Sequence, residues 1–413
     1  MRHLLNIYDL LDIIGCFVLV FFFNPYFTVM PYAAVIFALI WLFIAFCIDN
    51  ERLRKAFTTM PIVLSALFIV VLICNRLSGR IEGINTHDIM LLFIIAFSNY
   101  YFILEDANRQ NRLLKASILY IVLIIVNTFV QFSINPMISR VLSSGSTEIV
   151  RQYGSPFTAS YFTIYALLTL FAGLITVYKN TRNRAILFLA LLIIVFLIKS
   201  QYTIAVILSL ANIFLVAVYP DSKRQLKSFF VIIFVSICII FVLTNIQSIL
   251  VWAIRSLNGN TMSKRLNEVL QIIQKGGLLD HSDSTNRVKY FGFSLKAFSS
   301  HPIFGIGFKD NYFMRIIGGH STFADILGEY GLIGGIPYIG TFVTYYRNII
   351  KKYSQEDAFI YNFIFFNYCL ISILNTSEHV NTYILIFLIA PMMAKLKTVR
   401  WKIKIYIGSR NAY

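Results

Sequence analysis

The sequence predicts an all-α integral membrane protein. Of its 413 residues, 58% are hydrophobic and only 13% are charged, and the mean hydropathy is +0.72. A soluble protein of this length could not keep so much apolar surface out of water. About twelve apolar runs also approach the roughly 20 residues that a helix needs to cross the core of a bilayer.

The apolar runs are expected to be separate transmembrane helices. They lie at about 8–24, 29–48, 60–78, 88–104, 115–134, 157–178, 185–199, 202–219, 228–250, 321–345, 358–375 and 382–397. Because no small-residue cleavage site follows the first run, that run is expected to be a retained helix rather than a signal peptide. The five cysteines lie in or beside the runs without metal-ligand spacing, so they are expected to be small membrane-embedded hydrophobes.

The distribution of basic residues predicts the orientation. Most of the 36 lysines and arginines fall in every second segment between the runs, which the positive-inside rule assigns to the cytoplasm together with both termini. The predicted layout has nine helices in 1–250 with an external loop at about 135–156, a large external loop at 251–319 between helices 9 and 10, three helices in 320–398 and a basic cytoplasmic tail at 399–413.

The large external loop is basic and partly helical. It contains nine basic and four acidic residues. This charge would attract an anionic substrate, although a solvated face or attraction to acidic lipid head groups would explain it as well. In RVKYFGFSLKAF, residues 287–298, apolar side chains recur at helical spacing, which predicts an amphipathic helix on the membrane surface.

The stretch GGHSTFADILGEYGLIGG, residues 318–335, places His320 and two acids at the mouth of an apolar run. On one continuous helix its small residues form a stripe suited to close helix packing: Ala324, Gly328, Gly331 and Gly335. Asp325 and Glu329 share a face, and acids within a membrane mark either a functional site or a structural ion pair. His320, at the outer interface, has the chemistry of a general base, with a structural role as the alternative.

Two further stretches present isolated arginines on the same side of the membrane. Arg151 opens RQYGSPFTASYF, and Arg287 opens the amphipathic helix that leads into HPIFGIG at 301–307. The planar donor fork of arginine is suited to clamping phosphate. Phosphate loops, dinucleotide fingerprints, HExxH and the GxSxG elbow do not occur in the sequence, which disfavours nucleotide chemistry.

Together these three stretches resemble the O-antigen polymerase and O-antigen ligase superfamily, which includes the Wzy-type polymerases. The family pattern H-[NSQ]-x9-G-x-x-G matches the spacing from His320 to Gly334, and HPIFGIG matches a stretch of the family's large external loop. RQYGSPF matches the family's R-x-x-G-x-F-x-x-P stretch in part, because Pro156 precedes Phe157. The predicted helix layout, with one large external loop late in the chain, is similar as well.

The resemblance implies a GT-C-like, metal-independent glycosyltransferase in the bacterial cytoplasmic membrane, with its active site on the external face. Donor and acceptor would be undecaprenyl-diphosphate-linked oligosaccharides, with a chain-length regulator as protein partner and without a cofactor or nucleic acid. By position, Arg151 and Arg287 would bind the donor diphosphate and His320 would activate the acceptor hydroxyl. Asp325 and Glu329 would support this site.

The chain length and helix count favour a polymerase of repeat units within the superfamily. The first alternative is an O-antigen ligase that transfers glycan to a lipid or protein acceptor. An alternative of another class is a lipid-linked oligosaccharide flippase, which should carry ionisable residues in several helices. We interpret the charges within the predicted runs as concentrated in one helix, which would argue against a flippase.

Overall fold

The computed structural model describes residues 7–24, 31–79, 84, 86–103, 106–135, 138–144, 155, 157–218, 246–256, 263–264, 266–268, 270–271, 283–307 and 316–395. Within these ranges all regular structure is helical and no strand occurs, which confirms the predicted all-α class. The predicted ninth run lies mostly outside these ranges, as do much of both external loops and the whole predicted tail. The total of about twelve helices therefore stays a prediction.

The helices follow the apolar runs closely. Before the large loop they are α1 (Ile7–Phe22), α2 (Pro31–Phe57), α3 (Met60–Leu77), α4 (Thr86–Ile103), α5 (Ala107–Ile134), α6 (Ile138–Ser144), α7 (Tyr161–Thr181), α8 (Arg184–Lys199) and α9 (Thr203–Val218). After it they are α10 (Ile246–Ser256), α11 (Asp283–Ser300), α12 (Thr322–Ile350), α13 (Gln355–Leu374), α14 (Val380–Ile384) and α15 (Ala390–Ala394), with a π-helical turn, Leu385–Ile389, between the last two.

Seven of the described helices are long and apolar enough to cross a membrane: α2, α3, α4, α5, α7, α12 and α13. Two shorter apolar helices, Ile204–Ala217 and Val380–Ala394, accompany them. Their length and composition support a multi-pass membrane protein. Helices α8 and α9 are separate, as predicted. Gln201 between them takes a left-handed conformation with φ 58°, which ends the helical path.

Short polar side chains determine where several helices begin. Asp106 accepts hydrogen bonds from Asn108 N and Arg109 N at the start of α5. Asn183 accepts from Ala185 N at the start of α8, and Ser354 accepts from Asp357 N at the start of α13. Each side chain satisfies a backbone N–H group that has no partner within its own helix.

The last helical segment lies in the interior of the molecule. Every residue from Val380 to Ala394 is buried, and the segment packs against α4, α5, α7 and α13. A helix that is apolar on all sides is typical of such a position. Its N-terminal end lies beside the start of α7, where Asn381 Nδ2 donates to Thr163 Oγ1 over 3.1 Å.

Helix α12 positions the segment that carries His320. It packs most extensively against α3 and α11. The predicted amphipathic helix lies within α11. Small residues of α11 face α12, since Ser294 and Ala297 are buried there while Leu295 is exposed. The predicted continuous helix after His320 is wrong in one respect, since α12 is interrupted at Gly331.

Candidate functional site

The structure brings His320 against α11. The rings of His320 and Tyr290 lie 4.9 Å apart between centroids. Arg287 lies on the same helix, one turn before Tyr290, although its side chain is outside the description. Arg151 lies outside the described residues altogether. His320 and Arg287 therefore lie on neighbouring segments of the backbone.

Asp325 holds the backbone around His320 in place. Its Oδ2 accepts a hydrogen bond of 2.9 Å from Ser321 N, and its carboxylate lies close to the backbone of Gly319 and His320. Ser321 is the N-cap of α12 and accepts from Ala324 N. Asp325 is only 6% exposed, so these bonds are shielded from water. The carboxylate thus stabilises the start of α12 and the conformation of the His320 segment.

Ser294 connects this segment to α11. Its hydroxyl donates to Asp325 Oδ1 and accepts from Gly318 N over 2.9 Å. One buried serine therefore joins the backbone before His320 and the carboxylate after it to a single point on α11. The sequence predicted a supporting role for Asp325 from its spacing to Glu329, whereas the contacts of Asp325 are with the turn that contains His320.

Replacing Asp325 with alanine is expected to lower the stability of the protein and to release the His320 segment. Several buried donors would lose their acceptor, at a cost of about 1–3 kcal/mol for each unsatisfied group. The apparent melting temperature in detergent measures this effect. Glu51→Ala is the control, because Glu51 is an exposed acid that pairs with the exposed Lys55. An equal shift in both variants would contradict the role of Asp325.

The break in α12 is filled by the HPIFGIG turn. Gly331 has φ 60° and ψ −157°, so the helical hydrogen-bond pattern is interrupted there. Backbone groups of the turn take its place: Ile306 N donates to Gly328 O, Gly307 N to Glu329 O, Leu332 N to Pro302 O and Ile333 N to Ile303 O, over 2.8–3.1 Å. Two stretches that the sequence singled out separately thus form one hydrogen-bonded unit, which we call the broken-helix unit (301–307 with 328–333).

Glycines are required in this unit because two backbones touch. A Cβ atom on Gly331 would lie 2.4 Å from Ile303 O, and one on Gly305 would lie 2.2 Å from Glu329 O. Within the predicted stripe, Gly328 serves the expected close approach of helices, since its Cβ would meet Ser294 O of α11 at 2.9 Å. The predicted single packing stripe is therefore wrong, and the glycines of α12 serve different contacts.

Acids from three separate elements lie near one another: Glu329 of α12, Asp88 of α4 and Glu378 between α13 and α14. Glu329 of α12 and Asp88 of α4 are 5% and 3% exposed. The carboxyl groups of Asp88 and Glu378 lie within hydrogen-bonding reach of each other, and Glu329 interacts with Tyr330. The inference that ionisable residues are concentrated in one helix is therefore wrong. The sequence analysis did not predict Asp88 and Glu378 as neighbours because they are far apart in the chain. Each is recognisable in the sequence only as an acid beside an apolar run.

Two histidines border these acids. The rings of His87 and His379 lie 4.4 Å apart, and His379 stacks on Phe162 at 4.4 Å. Burial, and secondarily the proximity of His87, lowers the pKa of His379 well below its ordinary value, so its ring is neutral near pH 7. His379 Nδ1 accepts from Asn381 N at the start of α14, which is consistent with a neutral capping residue.

Glu378→Gln is expected to weaken the dependence of the protein's stability on pH. Burial, followed by the charge of Asp88 and a hydrogen bond to it, raises the pKa of Glu378 well above its ordinary value. A carboxyl with a raised pKa stabilises the fold while protonated, and this contribution is lost as the pH rises through that pKa. Above about pH 4.5, the ordinary pKa of glutamate, the melting temperature of the wild type should therefore fall with rising pH, and Glu378→Gln should flatten this decline. Exposed Glu51, replaced by Gln, is the control that should keep the wild-type profile.

Within the described ranges, no group of three or more His, Cys, Asp or Glu side chains is arranged to hold a metal ion. Protein-family models gave no match to this chain, and neither did the curated proteins. The functional assignment therefore depends on the residues and their geometry.

Proposed function

We propose that the protein is a membrane glycosyltransferase that polymerises a surface polysaccharide. It joins undecaprenyl-diphosphate-linked oligosaccharide units at the external face of the bacterial cytoplasmic membrane. His320 activates the acceptor hydroxyl, and Arg151 and Arg287 bind the donor diphosphate. The multi-pass helical architecture supports an enzyme whose substrates are anchored in the bilayer.

The reaction consists of one displacement at the anomeric carbon of the donor. The acceptor hydroxyl oxygen forms a bond to this carbon while the bond from the carbon to the diphosphate oxygen breaks. His320 takes the hydroxyl proton, and the arginines stabilise the negative charge that develops on the leaving diphosphate. The attack comes from the face opposite the leaving group, so the configuration is inverted.

The observation that carries the proposal is the attachment of the His320 segment to α11. Asp325 and Ser294 hold this segment by buried hydrogen bonds, and Arg287 lies one turn from the aromatic ring that His320 contacts. A base and a phosphate-binding group must be held at a defined separation for this reaction. The broken-helix unit supports the same arrangement, because it attaches the end of α11 to α12 by backbone bonds.

His320→Ala is expected to abolish the ladder of polymer lengths in the host. Loss of a general base lowers the rate by about 100-fold or more. The gene would be deleted and complemented with wild type, His320→Ala, Arg287→Ala or Arg151→Ala at matched expression, and the surface glycan analysed on a gel. His301→Ala is the control, because His301 is an exposed histidine in the adjacent turn. A normal ladder in His320→Ala would refute the assigned role.

A lipid-linked oligosaccharide transporter is the second candidate. It is favoured by the buried acids of α4 and α12 and by the nearby acid Glu378. Acids on several elements are typical of ion-coupled transport. A transporter defect would trap lipid-linked single units on the cytoplasmic side, whereas a polymerase defect leaves single units on the cell surface. A ligase defect would instead leave long polymer on the lipid carrier.

A further inference from the structure

An apolar groove lies between α5, α7 and α8. It encloses a cavity of about 200 Å³. Its walls are eight apolar side chains and one asparagine: Ile118, Val122, Leu174, Asn183, Ala185, Ile186, Phe188, Leu189 and Leu192. Phe188 is 70% exposed, so the groove opens on the outer surface of the helix bundle. In a bilayer such a surface faces the acyl chains of lipids.

The groove lies along the half of α7 that is distant from the His320 segment. Helix α7 starts beside the His320 segment, because Tyr161 donates to Asn375 Oδ1 over 2.8 Å and Asn375 O accepts from Thr322 N. The helix then runs for 21 residues before the turn that contains Asn183. With 1.5 Å per residue, the two ends of α7 are about 30 Å apart. The groove is therefore separate from the proposed glycosyl transfer site.

One end of the groove has a basic rim. Arg184 lies between two groove residues, Asn183 and Ala185, and is exposed. Lys115 is also exposed and precedes the groove residue Ile118 by one turn of α5, on the same face of the helix. The N-terminus of α8, capped by Asn183, directs its positive dipole end toward this rim.

The helices that line the groove, α5, α7 and α8, carry basic residues but no acidic ones. Arg182 adds a further exposed cation in the turn between α7 and α8. An apolar groove with a cationic end complements a molecule that has an acyl chain and an anionic head group. A polar metabolite would gain nothing from the apolar walls.

We propose that this groove binds an anionic phospholipid, with an acyl chain along the apolar walls and the phosphate at Lys115 and Arg184. The apolar walls provide contact for any lipid, and the rim provides the preference for negative charge. Each cation near a membrane surface favours an anionic lipid by about fivefold. This site does not depend on the proposed enzymatic function.

The test measures lipid binding to the purified full-length protein by native mass spectrometry. Phosphatidylglycerol is the anionic probe and phosphatidylcholine, with the same acyl chains, is the neutral probe. We expect the wild type to prefer phosphatidylglycerol by at least about tenfold, and Lys115→Gln with Arg184→Gln to lower this preference to about twofold or less. Lys351→Gln with Lys352→Gln is the matched control, because both are exposed lysines after α12 on a different part of the surface.

The apolar part of the site is tested by filling it. Leu192→Trp fills the groove and should weaken the binding of both lipids. Leu191→Trp, at the exposed neighbouring position, should leave binding unchanged. Melting temperatures close to that of the wild type show that the variants are folded, and Arg184→Lys should retain the lipid preference.

Three results would overturn the proposal. The first is a wild type that binds both lipids equally. The second is an equal loss of preference in the rim and control variants, which would indicate a diffuse surface charge. The third is a dimer whose interface covers the groove and which persists in Leu191→Trp but not in Leu192→Trp, since a second copy would then be the occupant.

Discussion

Gly331→Ala is expected to prevent normal folding of the protein. The backbone at Gly331, with φ 60° and ψ −157°, belongs to a region that only glycine adopts readily. The strain costs about 1–3 kcal/mol. The added Cβ would also lie 2.4 Å from Ile303 O and 2.6 Å from Gly305 N, both of them backbone atoms. The broken-helix unit would have to separate, leaving its backbone hydrogen bonds unmade.

Size-exclusion profiles and melting temperatures in detergent measure this effect. Gly292→Ala is the matched control, because Gly292 lies within α11 and a Cβ there meets no atom within 4 Å. This substitution should leave the protein intact or stabilise it by up to about 1 kcal/mol, since alanine is the better helix former. A monodisperse Gly331→Ala protein with the melting temperature of the wild type would contradict the described break in α12.

Arg109→Met is expected to destabilise the protein by up to about 3–5 kcal/mol, because it removes the buried partner of a buried carboxylate. Asp12 would keep only the half-exposed Arg112, which lies 3.5 Å from its Oδ2. Arg109 and Asp12 are 4% and 1% exposed, and Arg109 Nε donates to Asp12 Oδ1 over 2.8 Å. The guanidinium group also lies over the rings of Tyr8 and Tyr101 at 5.3 and 5.5 Å. This pair joins α1 to α5 inside the bundle.

The double variant Asp12→Leu with Arg109→Met should recover most of the stability, because neither charge then remains buried alone. Glu51→Ala is the control for an exposed ion pair, since Glu51 contacts the exposed Lys55, and it should leave the melting temperature nearly unchanged. Melting temperatures of the wild type, the single variants Asp12→Leu and Arg109→Met, and the double variant form a thermodynamic cycle. A double variant as unstable as the sum of its single variants would show that the pair is not coupled.

Local properties of the chain account for much of the helical layout. Apolar runs such as 60–78 and 358–375 predicted α3 and α13 to within a few residues, because the length of an apolar run reflects the thickness of the bilayer core. The helical spacing of apolar residues in 287–298 predicted α11, since neighbours on a helix face are three or four residues apart.

The ends of the helices were predicted less well. The apolar run at 115–134 is only part of α5, which begins at Ala107, because Asp106 caps a polar first turn that hydropathy does not detect. A helix can continue beyond the apolar core once its first backbone donors have a partner.

The sequence by itself determined that the chain is helical, apolar enough for a membrane and rich in unusual residues around His320. Tertiary structure alone decided which partners those residues have. Asp325 accepts a hydrogen bond from Ser294, and the 301–307 turn packs against the break at Gly331. Asp88 lies beside Glu378, which is nearly 300 residues away in the chain. Helix formation depends on neighbours within a few residues, whereas these contacts depend on how distant segments pack, which no local pattern encodes.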